Sequence, residues 1–182
     1  MPTSSQPPPD VLARFERAML PHMNAAYNLA RWLMQNDSDA EDSVQEAYLR
    51  AFRFFESFQG EDGRAWLLAI VRNTCRTALQ KSGAQLKNVE FQEEVHSPAA
   101  PEDDTVERRL ARQDDIDSVR WCIDRLPGEY REVIVLRELE QLSYKEIAEA
   151  ISAPLGTIMS RLARARARLQ DCLTARIPGV RV

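Results

Sequence analysis

The 182-residue chain, 44% hydrophobic, has room for one medium domain or two small ones with modest cores. The longest apolar run, residues 66–71, is far short of the roughly 20 residues of a membrane helix, and MPTSSQPPPD has neither the charged lead nor the apolar stretch of a secretory signal; a cytoplasmic protein without membrane insertion is expected. The net charge of −4 averages opposed blocks and does not exclude nucleic acid. Residues 37–62 carry eight acids against two bases, residues 64–87 five bases and no acid, residues 90–117 ten acids against three bases, and residues 155–182 six arginines against Asp171 alone.

The sparse glycine and the scarcity of β-branched runs indicate an all-α chain. It divides into two small helical domains, 10–82 and 112–176, joined by a flexible acidic linker at 83–111. Within that linker FQEEVHSPAAPEDDTVE holds two prolines and many acids but little apolar content. The first helical stretch, 11–34, is mixed in character. A second opens at SDAED, where Ser38 and Glu41 are spaced as a capping box. On its helical wheel Val44, Ala47, Tyr48, Ala51, Phe52, Phe54 and Phe55 form the core arc, opposite Asp42, Gln45, Glu46, Leu49, Arg50 and Arg53. Leu49 falls in the middle of the polar arc, as an apolar anchor in a docking surface would; a solvated face with one stray leucine is the alternative. A metal site from Asp39, Glu41, Asp42 and Glu46 is disfavoured, because those acids do not share one face and no histidine is near.

The third stretch, RAWLLAIVRNTCRTALQK, places Leu67, Leu68, Ile70, Val71, Thr74, Cys75 and Ala78 on one side. Arg72, Asn73, Arg76 and Gln80 form an opposing strip able to hold phosphates and bases. Phe58, in the loop before it, is either a surface for an unstacked base or a core plug. Cys75, Cys122 and Cys172 lie about 50 residues apart with no CxxC and only two histidines in the chain, so they read as buried or free thiols.

The second domain reads as helix, break, helix, tight turn, helix. Ser143 and Glu146 form a capping box, SAP (152–154) breaks the helix, and Pro154 suits the start of the next. Leu155, Ile158, Leu162, Ala165 and Leu169 make an apolar stripe. Thr157, Ser160, Arg161, Arg164 and Arg168 lie off it, and Arg166 flanks it as a structural charge. Two short helices with a three-residue turn fit a helix-turn-helix for the major groove. An arginine-rich solvated helix would interleave acids, and none occurs between Leu155 and Gln170.

Together DAEDSVQEAYLRAF, WLLAIVRNTCR, the acidic linker and LPGEYREVIVLRELEQLSYKEIAEA with PLGTIMSRLARAR resemble the extracytoplasmic-function (ECF) group of bacterial sigma factors over about residues 10–173. The resemblance implies a transcription initiation factor without catalytic activity, metal or cofactor, which brings core RNA polymerase to promoters. Domain 10–82 would be sigma region 2, with Asp42, Gln45, Glu46 and Leu49 on the β′ clamp helices and Phe58, Arg72, Asn73 and Arg76 at the minus-ten element. Domain 112–176 would be region 4, reading the minus-thirty-five element through Thr157, Met159, Ser160, Arg161, Ala163, Arg164 and Arg168 and touching the β flap. The linker would thread toward the RNA exit path, and an anti-sigma factor would supply control, since no regulatory domain follows. Met159 stands where many members are basic, Ala163 where larger side chains often read bases, and Ser152 where glycine is common in the turn, so an unusual promoter is expected. A conventional helix-turn-helix regulator would need a ligand pocket or a dimerisation stripe in the front domain. A metal-dependent nuclease would need a second carboxylate cluster.

Overall fold

The computed structural model describes residues 9–58, 62–83 and 106–176, and every element among them is helical. Most of the expected linker, residues 84–105, and the loop residues 59–61 lie outside the described residues.

The front module holds α1 (Pro9–Met19), α2 (Met23–Met34), α3 (Asp37–Phe54) and α4 (Gly63–Lys81). The stretch expected as one helix over 11–34 is two, because Pro21 lacks an N–H and cannot continue a helix; a 3-10 turn, Leu20–His22, fills the break. Gln35, at φ 55°, ends α2 in the left-handed conformation, its N–H donating to the Arg31 carbonyl at 2.9 Å. The extended Asn36 then caps α3, its side chain accepting from the Asp39 N–H at 3.0 Å. This corrects the Ser38–Glu41 box: a strong N-cap type lies two residues upstream, so Ser38 is already inside the helix. Asp62 caps α4 in the same way, accepting from the Arg64 and Ala65 amides.

Small residues govern the packing of α3. Ala40, Ser43, Val44, Ala47 and Ala51 are its buried side, which lets α2 and α4 approach closely. Phe55 joins the core, whereas Phe54, expected there too, is 55% exposed, because α3 gives way to a 3-10 turn at that point. Phe15 meets Tyr48, Phe52 and Phe55 edge to face with centroids 6.3, 5.0 and 5.3 Å apart, the geometry aromatic quadrupoles favour.

The back module holds α5 (Val106–Asp124), α6 (Gly128–Ile134), α7 (Tyr144–Ile151) and α8 (Leu155–Arg176). Helix α5 begins inside the segment expected as linker. A π-helical turn, Val135–Leu139, extends α6, and this continuous apolar run, Val133 to Leu136, is fully buried. The buried Arg131 donates to the carbonyls of Ile123, Asp124 and Leu126, so one guanidinium satisfies the open C-terminus of α5.

The two modules share one contiguous apolar core, with α4 against α7 and α2 against α6. Polar groups fix the register between them. Arg72 is 4% exposed and makes a two-pronged pair with Glu132 of α6, Nη2 to Oε2 being 3.2 Å. Arg64 pairs with Glu140 at 2.5 Å and also donates to its carbonyl, and Gln35 donates to the Asp124 carbonyl at 3.2 Å.

The expectation for the cysteines is corrected in part. Cys75 is a buried free thiol, and burial pushes it up to about 11, an inert state. Cys122 of α5 and Cys172 of α8 are joined by a disulfide, with Cα atoms 5.8 Å apart. Sequence spacing carries no information about that proximity. No helix among the described residues is long and apolar enough to cross a membrane.

Candidate functional site

The polar side of α3 is open. Asp42, Gln45 and Glu46 are exposed, and Leu49 is 64% exposed among them, far more than an accidental core residue would be. Arg50 donates to Glu46 at 2.7 Å, an i,i+4 pair that holds one carboxylate of the patch in place. The result is a rigid helix face offering carboxylates and an amide around one apolar side chain.

The strip on α4 is divided. Asn73 and Arg76 are exposed, and the Asn73 Oδ1 accepts from Arg72 at 2.9 Å. Arg72, expected on the same solvent strip, is instead inside the module contact, because Glu132 supplies the acceptors that water would otherwise supply. Phe58 is half-buried, tilted against Trp66 with centroids 4.8 Å apart and stacked at 6.4 Å on Phe55, so here it acts as a plug.

In the back module the helix-turn-helix has the expected parts. Ser143 and Glu146 make the reciprocal capping box that opens α7. Ser152 takes φ 56°, a left-handed conformation where glycine would be unstrained, and so turns the chain toward α8. Pro154 lies one residue before α8, and its carbonyl accepts from Thr157 and Ile158. Ile158, Leu162 and Ala165 anchor α8, while Leu155, expected on that stripe, is 49% exposed at the helix start, where no neighbouring element covers it.

The presented face of α8 holds Met159 at 53% exposure, with Ser160, Ala163, Arg164 and Arg168 open beside it and Thr157 half-buried. Ser160 Oγ donates to the Thr157 carbonyl at 3.0 Å. Arg161 lies 3.3 Å from Glu129, and Arg168 covers the Tyr130 ring at 5.2 Å. Arg166 pairs with Glu138 at 2.7 Å and donates to Tyr144 Oη, the structural role expected of it.

Between the modules is a cavity of about 430 Å³ whose wall includes Arg72, Arg76, Glu129, Glu132 and Arg161. Cations from the α4 strip and from α8 thus face one cleft, where Arg72 pairs with Glu132 and Arg161 lies beside Glu129 of α6. The sequence reading missed these acids, although Glu129 and Glu132 lie directly ahead of the apolar run Val133 to Leu136, with Arg131 beside Glu132. Among the described residues no group of three or more His, Cys, Asp or Glu is placed to hold a metal ion.

Comparison with known proteins places both modules in known families. Residues 19–85 match the model described as Sigma-70 region 2, and residues 116–169 that of Sigma-70, region 4. The chain is 34% identical over 154 residues to the ECF RNA polymerase sigma-E factor of Haemophilus influenzae, covering 79% of this chain and 78% of that protein. This chain belongs to the ECF group of RNA polymerase sigma factors. Its sigma-E relative in Escherichia coli is 33% identical over 139 residues, 73% of either chain. Among solved structures, the sigma factor RpoE in complex with the anti-sigma factor NepR from Bartonella quintana aligns with a TM-score of 0.70 and 27% identity, covering 88% of this chain and 97% of that one. In this sigma factor region 2 therefore spans α2 to α4, and region 4 runs from within α5 through α6 and α7 into α8.

Proposed function

We propose that this sigma factor docks on core polymerase through Asp42, Gln45, Glu46 and Leu49 of α3, and that α4 and α8 read the two promoter elements. Three polar groups around one exposed leucine suit a protein partner better than DNA: the carboxylates repel phosphate, and the leucine gains only by being covered. On the opposite sign of surface, Arg76, Arg164 and Arg168 supply phosphate contacts, and Asn73, Met159, Ser160 and Ala163 supply base contacts. Phe58 and Asn73 receive an extruded base of the minus-ten element once Phe58 swings from Trp66. The protein carries no reaction of its own, works in the cytoplasm, and is held in reserve by an anti-sigma factor, as the Bartonella relative is bound to one.

The closed arrangement has a mechanical consequence. Elements named for positions ten and thirty-five lie about 25 base pairs apart, about 85 Å of duplex at 3.4 Å per pair. A chain of this length is compact within a radius of gyration of about 16 Å, so one closed particle does not reach both. Opening at the Arg72–Glu132 contact frees Arg72 for the minus-ten strand and uncovers the cleft side of Arg161. Engagement of core polymerase stabilises the open form.

The single observation that carries this reading is the exposed α3 face on a chain that also holds an intact helix-turn-helix. Replacing Gln45 and Leu49 together by alanine should lower affinity for purified core polymerase by about 1.5–3 kcal/mol or more, the value of a buried leucine, while leaving the helical content intact. Unchanged affinity would refute the docking face.

A further inference from the structure

The disulfide between α5 and α8 has a second feature beside it. A cavity of about 550 Å³ carries Cys122 and Cys172 in its wall, with Trp121, Arg125, Arg168 and Arg176 around them. Cys122 is 1% exposed, whereas Cys172 is half-buried, so Cys172 is the more open residue of the bonded pair. Arg125 and Arg176 both lie 4.3 Å from the centroid of the Trp121 ring. Such stacking fixes the guanidinium planes and leaves their N–H edges able to meet an anion. Arg176 donates one bond to Ser118, and neither Arg125 nor Arg168 has a carboxylate partner among the described residues. The one acid in the lining is Asp171.

We infer that Cys122 and Cys172 form a thiol–disulfide exchange site whose co-substrate is an anionic low-molecular-weight thiol, seated in this arginine-lined cavity. The inference rests on the cytoplasmic reading above, since disulfides in that compartment are transient and redox-responsive rather than permanent. The cavity is the size of a small-molecule site. Its cationic lining suits carboxylates on the incoming thiol and stabilises the thiolates that exchange requires.

Exchange proceeds in two displacements. The thiolate of one incoming molecule attacks the Cys172 sulfur, a mixed disulfide forms there, and Cys122 leaves as a thiolate that takes a proton from water. A second thiolate attacks the ligand sulfur of that mixed disulfide, and Cys172 leaves as a thiolate that is protonated in turn. One protein disulfide and two thiols thereby become two protein thiols and one small disulfide, a two-electron exchange, and the reverse sequence closes the bridge. Opening it releases the last turns of α8 from α5, while Cys75, in the core of the front module, takes no part.

The test uses the full chain, oxidised, with reduced glutathione as the anionic probe and cysteamine as a cationic thiol. Aliquots are quenched with an alkylating agent and read by intact mass. The oxidised chain should take one alkyl group under denaturing conditions, at Cys75, and three once reduced, because it has three cysteines. Glutathione should open the bridge at least tenfold faster than cysteamine after correction for thiolate fraction. R125Q with R176Q should remove most of that preference while leaving the cysteamine rate within about twofold. Equal rates for the two probes, an unchanged preference in the arginine variant, or three free thiols after equilibration with oxidised glutathione would each overturn the inference. C172S should yield no bridged species, and a bridge persisting in it would also count against the assignment. These readouts are independent of transcription, so a failed promoter assay leaves them interpretable.

Discussion

The contact between Arg72 and Glu132 makes a quantitative claim about the free protein. Glu132→Ala removes both carboxylate acceptors of a guanidinium that is 4% exposed in the closed arrangement, leaving it only the neutral Asn73 Oδ1. Losing one partner of a buried ion pair costs about 3–5 kcal/mol, most of it from the charge left without a partner. Here the molecule has an escape, since separating the modules returns Arg72 to water. The penalty therefore falls on the closed form relative to the open one and shifts their ratio by roughly two to three and a half powers of ten. The Arg64–Glu140 pair and the shared apolar contact oppose this shift, so the variant should populate open forms without unfolding either module. Small-angle scattering should give the wild type a radius of gyration near the compact value of about 16 Å and the variant a larger one. Binding of a single-stranded minus-ten oligonucleotide should strengthen in parallel. Reversing the pair, Arg72→Glu with Glu132→Arg, should restore the compact dimension. A Glu132→Ala chain with the wild-type radius and unchanged oligonucleotide binding would refute the reasoning.

Other expectations concern single side chains. Asn73→Ala should weaken minus-ten single-strand binding by about 1–3 kcal/mol at one base position, measured by anisotropy across substituted oligonucleotides. Arg161→Ala should cost about 1–3 kcal/mol on duplex minus-thirty-five DNA if the side chain reads a base; a loss that is uniform across sequences identifies a phosphate contact instead. Burial holds the Glu140 carboxyl above its ordinary value, with Arg64 pulling the other way. Its contribution to stability is therefore full below the ordinary carboxylate pKa and is lost as pH rises through the raised one. Urea midpoints measured between pH 4 and 7 should flatten in Glu140→Gln, and an unchanged slope would assign the pH dependence elsewhere.

What was legible in the sequence was local. Ser143 and Glu146 announce α7 because a capping box needs only three residues of spacing, and Leu49 stands out because the helical wheel alone places it among acids. The structural role of Arg166 follows from its position beside the apolar stripe. The Ser38 box failed because a better cap, Asn36, competes two residues away, and Phe54 failed because the wheel was carried past the end of its helix. What was hidden is long-range. Arg72 is cationic on any wheel, and only the docking of α6 makes it a buried partner of Glu132, 60 residues away in the chain, rather than an exposed cation. The pairing of Cys122 with Cys172, 50 residues apart, likewise depends on α5 and α8 lying side by side. Turn chemistry and periodicity carry no such information, whereas the open faces of α3 and α8 needed nothing more.

Run-off transcription with purified core polymerase, on a library of templates from the source genome, tests the central claim most directly. The protein should yield discrete promoter-specific transcripts that vanish with the Gln45 and Leu49 double substitution. Core polymerase giving the same products with and without the protein on every template would contradict it.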